Sequence, residues 1–167
     1  MNQATSIAAV ICRADYANPA HAAALVSLLD AYAKDPMGGG HALSEFAKTR
    51  LVAELAARPQ AFSVLAFAGG QAVGLVNCIE GFSTFACRPL VNIHDVVVLA
   101  EFRGRGIANQ MLQVVEAMSR ERGACKMTLE VLQGNSGAAR VYERVGFAAY
   151  QLDPAMGQAR FLQKWLE

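Results

Sequence analysis

The sequence predicts a mixed α/β (α+β) domain in which a mostly antiparallel sheet of about six to seven strands is flanked by about four helices. Three observations lead to this prediction. Two helical segments precede the main run of strands, Gly69-Gly70 joins two strand-like runs as a tight hairpin, and a strand–helix–strand order follows around residue 107. A hairpin pairs its strands antiparallel, whereas a crossover through a helix pairs them parallel.

The first part of the chain is predicted to hold one short strand and two helices. Residues 6–12 are apolar and rich in β-branched side chains, which favours a strand. Asn18 and Pro19 are typical of a helix start, and the leucines that follow repeat at helical spacing until the glycine-rich loop at 35–40. A second helix is predicted from about Leu43 to the Arg58-Pro59 step.

The rest of the chain is predicted to alternate strands with two more helices. The helices cover residues 107–122, which end at Gly123, and residues 136–145, which end at Gly146. An irregular connection is predicted at 80–89, and a turn at 154–157 separates the last two strands. The predicted strands are 62–68, 71–79, 90–99, 126–132, 147–152 and 160–166.

Composition narrows the classes of function. The 167 residues, 54% of them hydrophobic, suit a single domain over residues 1–167 with one sizeable core. Fifteen Lys and Arg against 14 acidic residues argue against nucleic-acid or membrane partners. The start of the chain is unlike a signal peptide and no apolar run is long enough to span a bilayer, so we expect a soluble, cytoplasmic protein.

The four cysteines do not resemble a metal site or a nucleophile. They are far apart and lack both the zinc-ligand spacing and a His partner that the sequence could identify, so no metal is expected. We interpret Cys78, Cys87 and Cys125 as buried small apolar residues in a reducing compartment.

A glycine-rich turn between a strand and a helix predicts a phosphate site. Gly104 and Gly106 remove the side chains that would keep an anion from the backbone, and the helix from Ile107 offers unpaired N–H groups and the positive end of its dipole. Arg103 and Arg105 add charge beside it, so a pyrophosphate is the expected ligand.

Two other phosphate motifs fit this turn poorly. A Walker loop needs Gly-Lys followed by Ser or Thr, and Gly106-Ile107-Ala108 has neither. A dinucleotide fingerprint needs a third Gly or Ala where Asn109 stands, and it normally follows the first strand.

Two blocks of sequence resemble the GNAT superfamily of N-acetyltransferases. The first is Val96-Val97-Val98 followed by Arg103-Gly104-Arg105-Gly106-Ile107-Ala108, which is similar to that family's acetyl-CoA signature. The second is Glu130-Val131, Asn135 and the run from Tyr142 to Gly146-Phe147. Together they cover residues 92–150. The resemblance implies a GNAT-type sheet with a splayed parallel strand pair, acetyl-CoA as acetyl donor, and direct transfer to an amine in a ternary complex.

The resemblance also implies roles for individual residues. Tyr142 matches the tyrosine that protonates the CoA sulfur, and Asn135 matches a residue that contacts the pantetheine arm. The backbone at residues 96–98 would point N–H groups at the acetyl oxygen. Packing is the alternative for Tyr142.

The proton acceptor has two candidates. Glu130 matches a glutamate that is a base in some relatives and a structural residue in many others. His94 lies on the strand that leads to Val96, at an alternate position to Asn92, and titrates in the useful pH range, although a hydrogen-bonded structural histidine is an alternative. Asp95 is expected to point the other way and to be structural.

The acceptor and the oligomeric state stay open. A small-molecule amine is favoured over an amino acid or a protein N-terminus, the loops at 35–41 and 80–88 are candidate acceptor borders, and a homodimer is possible. A catalytically silent acyl-CoA sensor would bind the donor without turnover. A nucleotide-binding domain would instead be stabilised by ATP or NAD.

Overall fold

The centre of the fold is a five-stranded sheet. The computed structural model describes residues 8–157 and 159–166. The strands follow one another in chain order across the sheet, and the first four pair antiparallel while the fifth runs parallel to the fourth. They are β1 (Val10–Arg13), β2 (Ala61–Ala68), β3 (Gln71–Ser83), β4 (Arg88–Val98) and β5 (Met127–Leu129). The mixed, mostly antiparallel sheet with a parallel pair is confirmed.

Four helices accompany the sheet: α1 (Pro19–Lys34), α2 (Glu45–Ala56), α3 (Ile107–Glu121) and α4 (Ser136–Val145). The side chains of Asn18, Ser44 and Asn135 accept hydrogen bonds from the first-turn N–H groups of α1, α2 and α4, which explains where these helices begin. Within the described residues, no helix is both long and apolar enough to cross a membrane.

Helices α1 and α3 cover opposite faces of the sheet. Leu25 and Leu28 of α1 share a buried cluster with Leu75 of β3. The neighbouring residue, Gly74, faces α3 instead, because a Cβ built there would lie 2.9 Å from the Met111 side chain. Adjacent residues of a strand point to opposite faces, so the two helices enclose the sheet between them.

The connection predicted at 80–89 is mostly strand. β3 continues to Ser83 and pairs there with Arg88, the first residue of β4. Only residues 84–87 form the turn, and Cys87 adopts a left-handed φ of 50° in it. Cys87 is exposed, so its interpretation as a buried residue was wrong, whereas Cys78 is buried. Residues 80–83 are strand because they pair with the first residues of β4, and the composition of the segment does not show this pairing.

The predicted count of six to seven strands was too high. Within residues 147–157 and 159–166 the chain forms no strand, and β5 ends at Leu129 rather than at 132. Apolar side chains in the two predicted closing strands are exposed, among them Leu152, Phe161 and Trp165. Their composition favours strands, but a strand also needs a partner for its backbone groups. The predicted beginning of the first strand, residues 6–7, lies outside the described residues.

The chain divides into two compact units, residues 1–129 and 130–167. The first holds the whole sheet with α1, α2 and α3. The second holds α4 and a short 3₁₀ turn at Pro154–Met156. The single-domain organisation stays a prediction.

Candidate functional site

β4 loses its parallel partner halfway along its length. The β4–β5 register has three pairs and ends at Ile93 with Leu129, although β4 continues to Val98. The side-chain amide of Asn92 donates to the Thr128 hydroxyl at 3.1 Å across this short pair. Beyond Ile93, one edge of β4 therefore has no strand beside it in the described sheet, and its main-chain groups can serve a ligand.

A bulge lies where the two strands separate. Cys78 of β3 pairs with Ile93, but the preceding residue, Asn77, pairs with Asp95, so that His94 is left without a partner in the β3 register. An extra residue of this kind bends and twists a strand. His94 is exposed at this position.

The bulge corrects the predicted direction of Asp95. Ile93 and Asp95 would share a face in a regular strand, but they pair with adjacent residues of β3, which point to opposite faces. Asp95 therefore lies on the same side as Asn77 and Asn92, and not on the side opposite to Asn92 as predicted. The alternation rule failed because it counts every residue, and a bulge adds one.

The β4–α3 loop, residues 99–106, leads directly into α3. A 3₁₀ turn covers Ala100–Phe102, and Gly104 and Gly106 have left-handed φ values of 76° and 77°. A Cβ built at Gly104 would have no atom within 4 Å, so the space outside this turn is open. Gly106 is the N-cap of α3 and supplies no side-chain acceptor, so the first-turn N–H groups of α3 are available to an anion.

The two arginines of this loop make specific contacts. Arg103 donates from Nε to the Val98 carbonyl at 2.9 Å and pairs through Nη2 with Asp35 at 3.0 Å. Arg105 donates to the Glu101 carbonyl at 2.9 Å, and its guanidinium lies 5.1 Å from the centre of the Phe102 ring. Asp35 offsets part of the Arg103 charge, which makes Arg103 a link between two loops as well as a candidate phosphate ligand.

The predicted residues of the second block lie in the second unit. Glu130 is exposed directly after β5. Asn135 caps α4, because its side-chain oxygen accepts from the Ala138 N–H at 3.2 Å. Tyr142 is half-buried on α4, with its ring 6.1 Å from that of Phe147 in an edge-to-face arrangement. Asn135 and Tyr142 thus also have local structural contacts.

Sequence analysis missed a chain of four polar side chains on the α1 face of the sheet. The Tyr16 hydroxyl lies 2.8 Å from the Ser63 hydroxyl, Ser63 donates to the Asn77 side-chain oxygen at 2.6 Å, and the Asn77 amide donates to Asp95 Oδ2 at 2.9 Å. Ser63 and Asn77 are buried. We call these four side chains the polar chain. They come from four distant places in the sequence. The only signal available in the sequence was a polar residue within an otherwise apolar strand.

Burial changes two acidities near the bulge. It raises the pKa of the Asp95 carboxyl above its ordinary value, although the Asn77 hydrogen bond and the His94 charge oppose that rise. It also raises the pKa of the Cys78 thiol, and the Asp95 charge adds to this effect. Cys78 is therefore a neutral thiol and not an activated nucleophile.

Comparisons with known proteins agree with this geometry. The family model described as "Acetyltransferase (GNAT) family" matches residues 25–147. A streptothricin acetyltransferase of Streptomyces lavendulae is 36% identical over 90 residues, which cover 52% of this chain and 48% of that protein. An N-alpha-acetyltransferase of Arabidopsis thaliana is 37% identical over 84 residues, which cover 50% and 43% respectively.

The match spans about half the length of these curated relatives. A solved structure described as a probable acetyltransferase has the same fold, with a TM-score of 0.78 at 24% identity over 95% of this chain and 99% of the other. The family model covers both the β4–α3 loop and α4. This chain belongs to the GNAT acetyltransferase family.

Proposed function

We propose that this protein transfers the acetyl group of acetyl-CoA to a small-molecule amine by direct attack in a ternary complex. The observation that carries the proposal is the β4–α3 loop: two left-handed glycines precede a helix whose first N–H groups have no side-chain cap, beside the unpaired edge of β4. Family membership supplies the reaction class.

The loop fits a diphosphate. Its donors are main-chain N–H groups, it is open where a side chain would project from Gly104, and Arg105 is exposed beside it. We assign donor binding to Arg103, Gly104, Arg105, Gly106, Ile107 and Ala108 for the diphosphate, and to Val96, Val97, Val98 and Asn135 for the pantetheine arm and acetyl group.

Acetyl-CoA is the acetyl-donor substrate and supplies an activated thioester. Main-chain N–H groups around Val96 stabilise the negative charge that develops on its carbonyl oxygen. Tyr142 gives a proton to the leaving sulfur, and no covalent acyl-enzyme is needed. His94 and Glu130, both exposed, are the candidates that pass the acceptor's proton to water.

Relatives of this chain suggest two classes of acceptor. One is named for streptothricin, a small molecule, and the other for N-alpha acetylation. We favour the small amine and keep protein N-termini or lysines as the second candidate. A silent acyl-CoA-binding role is the third, and a homodimer and a cytoplasmic location stay predictions.

The experiment is a panel of acceptors with acetyl-CoA, in which thiol release is recorded. The panel contains streptothricin, kanamycin, spermidine, lysine and a short peptide with a free N-terminus. Amine-dependent release with a small amine supports the proposal. Release only with the peptide selects the second class, and acetyl-CoA binding without any release selects the silent role.

A further inference from the structure

The hydrogen bonds of the polar chain all run in one direction. Ser63 has a single hydroxyl proton and donates it to Asn77, so the Tyr16 hydroxyl must be the donor to Ser63. The Asn77 amide then donates to Asp95. Three successive donors thus point towards one carboxylate, and each strengthens the next.

The polar chain positions Asp95 and does not conduct protons. A hydroxyl can receive one proton while it gives another, but the Asn77 side chain accepts on oxygen and donates from nitrogen. A proton cannot pass through such an amide without a rare tautomer. The chain therefore orients Asp95 and stabilises its charged form, while burial opposes that form.

Asp95 makes no salt bridge in the described part of the chain, although the charge of His94 acts to lower the pKa of its carboxyl. None of the ion pairs there includes it, and Oδ2 is the oxygen that accepts from Asn77. Oδ1 accepts no hydrogen bond from the described residues. A half-buried carboxylate with one oxygen left over is a site for a cation, because pairing offsets the cost of desolvation.

Asp95 also lies at the place where a ligand would arrive. It follows the bulge and is one of the residues beyond Ile93 at which β4 has no parallel partner. Its titratable neighbours are His94 on its own strand, Cys78 on β3 and Tyr32 on α1. Burial raises the pKa of the Tyr32 phenol, with a contribution from the Asp95 charge. Tyr32 and Cys78 are therefore neutral, which leaves the Asp95 carboxyl as the acidic group among these neighbours.

We propose that Asp95 receives the protonated amine of the acceptor and takes the proton that must leave before attack. This rests on the proposed function and names its first proton acceptor. Burial raises the pKa of the Asp95 carboxyl towards that of the amine, which lowers the cost of moving the proton between them. Asp95 then releases its proton to water, and the acceptor class is a primary amine that is protonated in solution.

The reaction consists of a proton transfer to Asp95 followed by acyl transfer to the neutral amine. The N–H bond of the ammonium breaks and an O–H bond forms on Asp95, which leaves a lone pair on nitrogen. The C–N bond then forms as the thioester C–S bond breaks. Tyr142 gives its proton to the sulfur and regains one from the nitrogen, so the net products are the amide, the thiol and one proton.

The test compares Asp95→Asn with His94→Gln, using the panel amine with the highest wild-type kcat/KM. Asn at position 95 keeps an acceptor for Asn77 but loses the charge. We expect kcat/KM to fall about 100-fold or more, with loss of the wild-type decline at acid pH. His94→Gln should retain that decline. A third variant, Tyr16→Phe, removes the outermost donor and should move the decline to higher pH.

The assignment of Asp95 would be overturned if Asp95→Asn kept kcat/KM within threefold of wild type and an unchanged pH profile. Thiol release by the wild-type protein would still support the proposed function in that case. A second measurement does not need turnover. In carbon-13-labelled protein at pH 7, streptothricin should shift the Asp95 carboxyl resonance in wild type. No shift with streptothricin, kanamycin or spermidine would contradict the site even if the acetyl-transfer proposal failed separately.

Discussion

The β4–α3 loop and the polar chain both adjoin β4, but they depend on the sequence in different ways. The loop is continuous: Gly104, Gly106 and the start of α3 set its shape within a few residues. The polar chain joins side chains from before α1, from β2, from β3 and from β4. A local motif can be recognised from spacing, whereas a site assembled across strands becomes visible only when the register is known.

The largest expected effect is on acetyl-CoA affinity, and it distinguishes a binding role of the β4–α3 loop from a loss of stability through backbone strain. Gly104→Val places a β-branched residue at a φ of 76°, where a non-glycine residue costs about 1–2 kcal/mol. We expect acetyl-CoA affinity to fall by about 100-fold or more, measured by calorimetry. The side chain would occupy the open space that the diphosphate needs.

Gly123→Val is the matched control. Gly123 lies beyond the other end of α3 with a φ of 74°, and a Cβ there also has no atom within 4 Å. Both variants should lose similar thermal stability, but only Gly104→Val should lose the donor. Equal affinities in the two variants would show that the loop does not bind acetyl-CoA.

The next effect concerns chemistry and not binding. Tyr142→Phe retains the ring that lies against Phe147 and removes only the hydroxyl. We expect kcat to fall roughly 100-fold with little change in acetyl-CoA affinity, because the phenol is needed when the sulfur leaves. Tyr150→Phe, also in the second unit, is the control in the same thiol-release assay. An unchanged kcat in Tyr142→Phe would show that Tyr142 packs in the structure and does not protonate the sulfur.

A smaller effect tests the energetic cost of burying the Asp95 carboxylate. Because burial raises the folded-state pKa of Asp95 above its unfolded value, the folded state binds the proton more tightly. Wild-type stability should therefore fall as pH rises from the unfolded value through the folded one. Asp95→Asn should raise Tm by about 2 °C or more at pH 7, but not below the unfolded pKa, in melts at both pH values. A lower Tm at pH 7 would contradict the direction of this shift.

The smallest effect concerns the salt bridge between Asp35, which follows α1, and Arg103 of the β4–α3 loop. The Met37 N–H and then Arg103 lower the pKa of Asp35, so this stabilisation is present above the unfolded pKa and is lost as pH falls through the folded one. Since Arg103 is largely exposed, Asp35→Asn should lower Tm by at most about 2 °C at pH 7.

Asp153→Asn is the control for the Asp35 variant. Asp153 accepts from the Ala155 N–H in a similar Asp-Pro turn and has no arginine partner in the described residues. The difference in Tm between wild type and Asp153→Asn should therefore change less with salt than the difference between wild type and Asp35→Asn. Identical salt dependence would mean that the Asp35–Arg103 pair contributes nothing.

Sequence was sufficient where structure is local. The start of α1 at Asn18 and Pro19, the hairpin at Gly69-Gly70 and the end of α4 at Gly146 each follow from the conformational preference of one or two residues. The GNAT resemblance rested on the same kind of information, because its motifs are short and ordered along the chain.

Sequence was insufficient where pairing decides. The bulge at His94 reversed the expected side of Asp95, and residues 80–83 became strand because β4 pairs with them. Residues 147–152 and 160–166 have suitable composition but no strand partner within the described residues. Each outcome depends on pairing with a second segment, and composition alone does not show that pairing.

The most direct test of the account is a crystal structure with bound acetyl-CoA. We expect its diphosphate to accept hydrogen bonds from main-chain N–H groups between Arg103 and Ala108, with the acetyl group beside Val96. A diphosphate bound elsewhere on the protein would contradict the account.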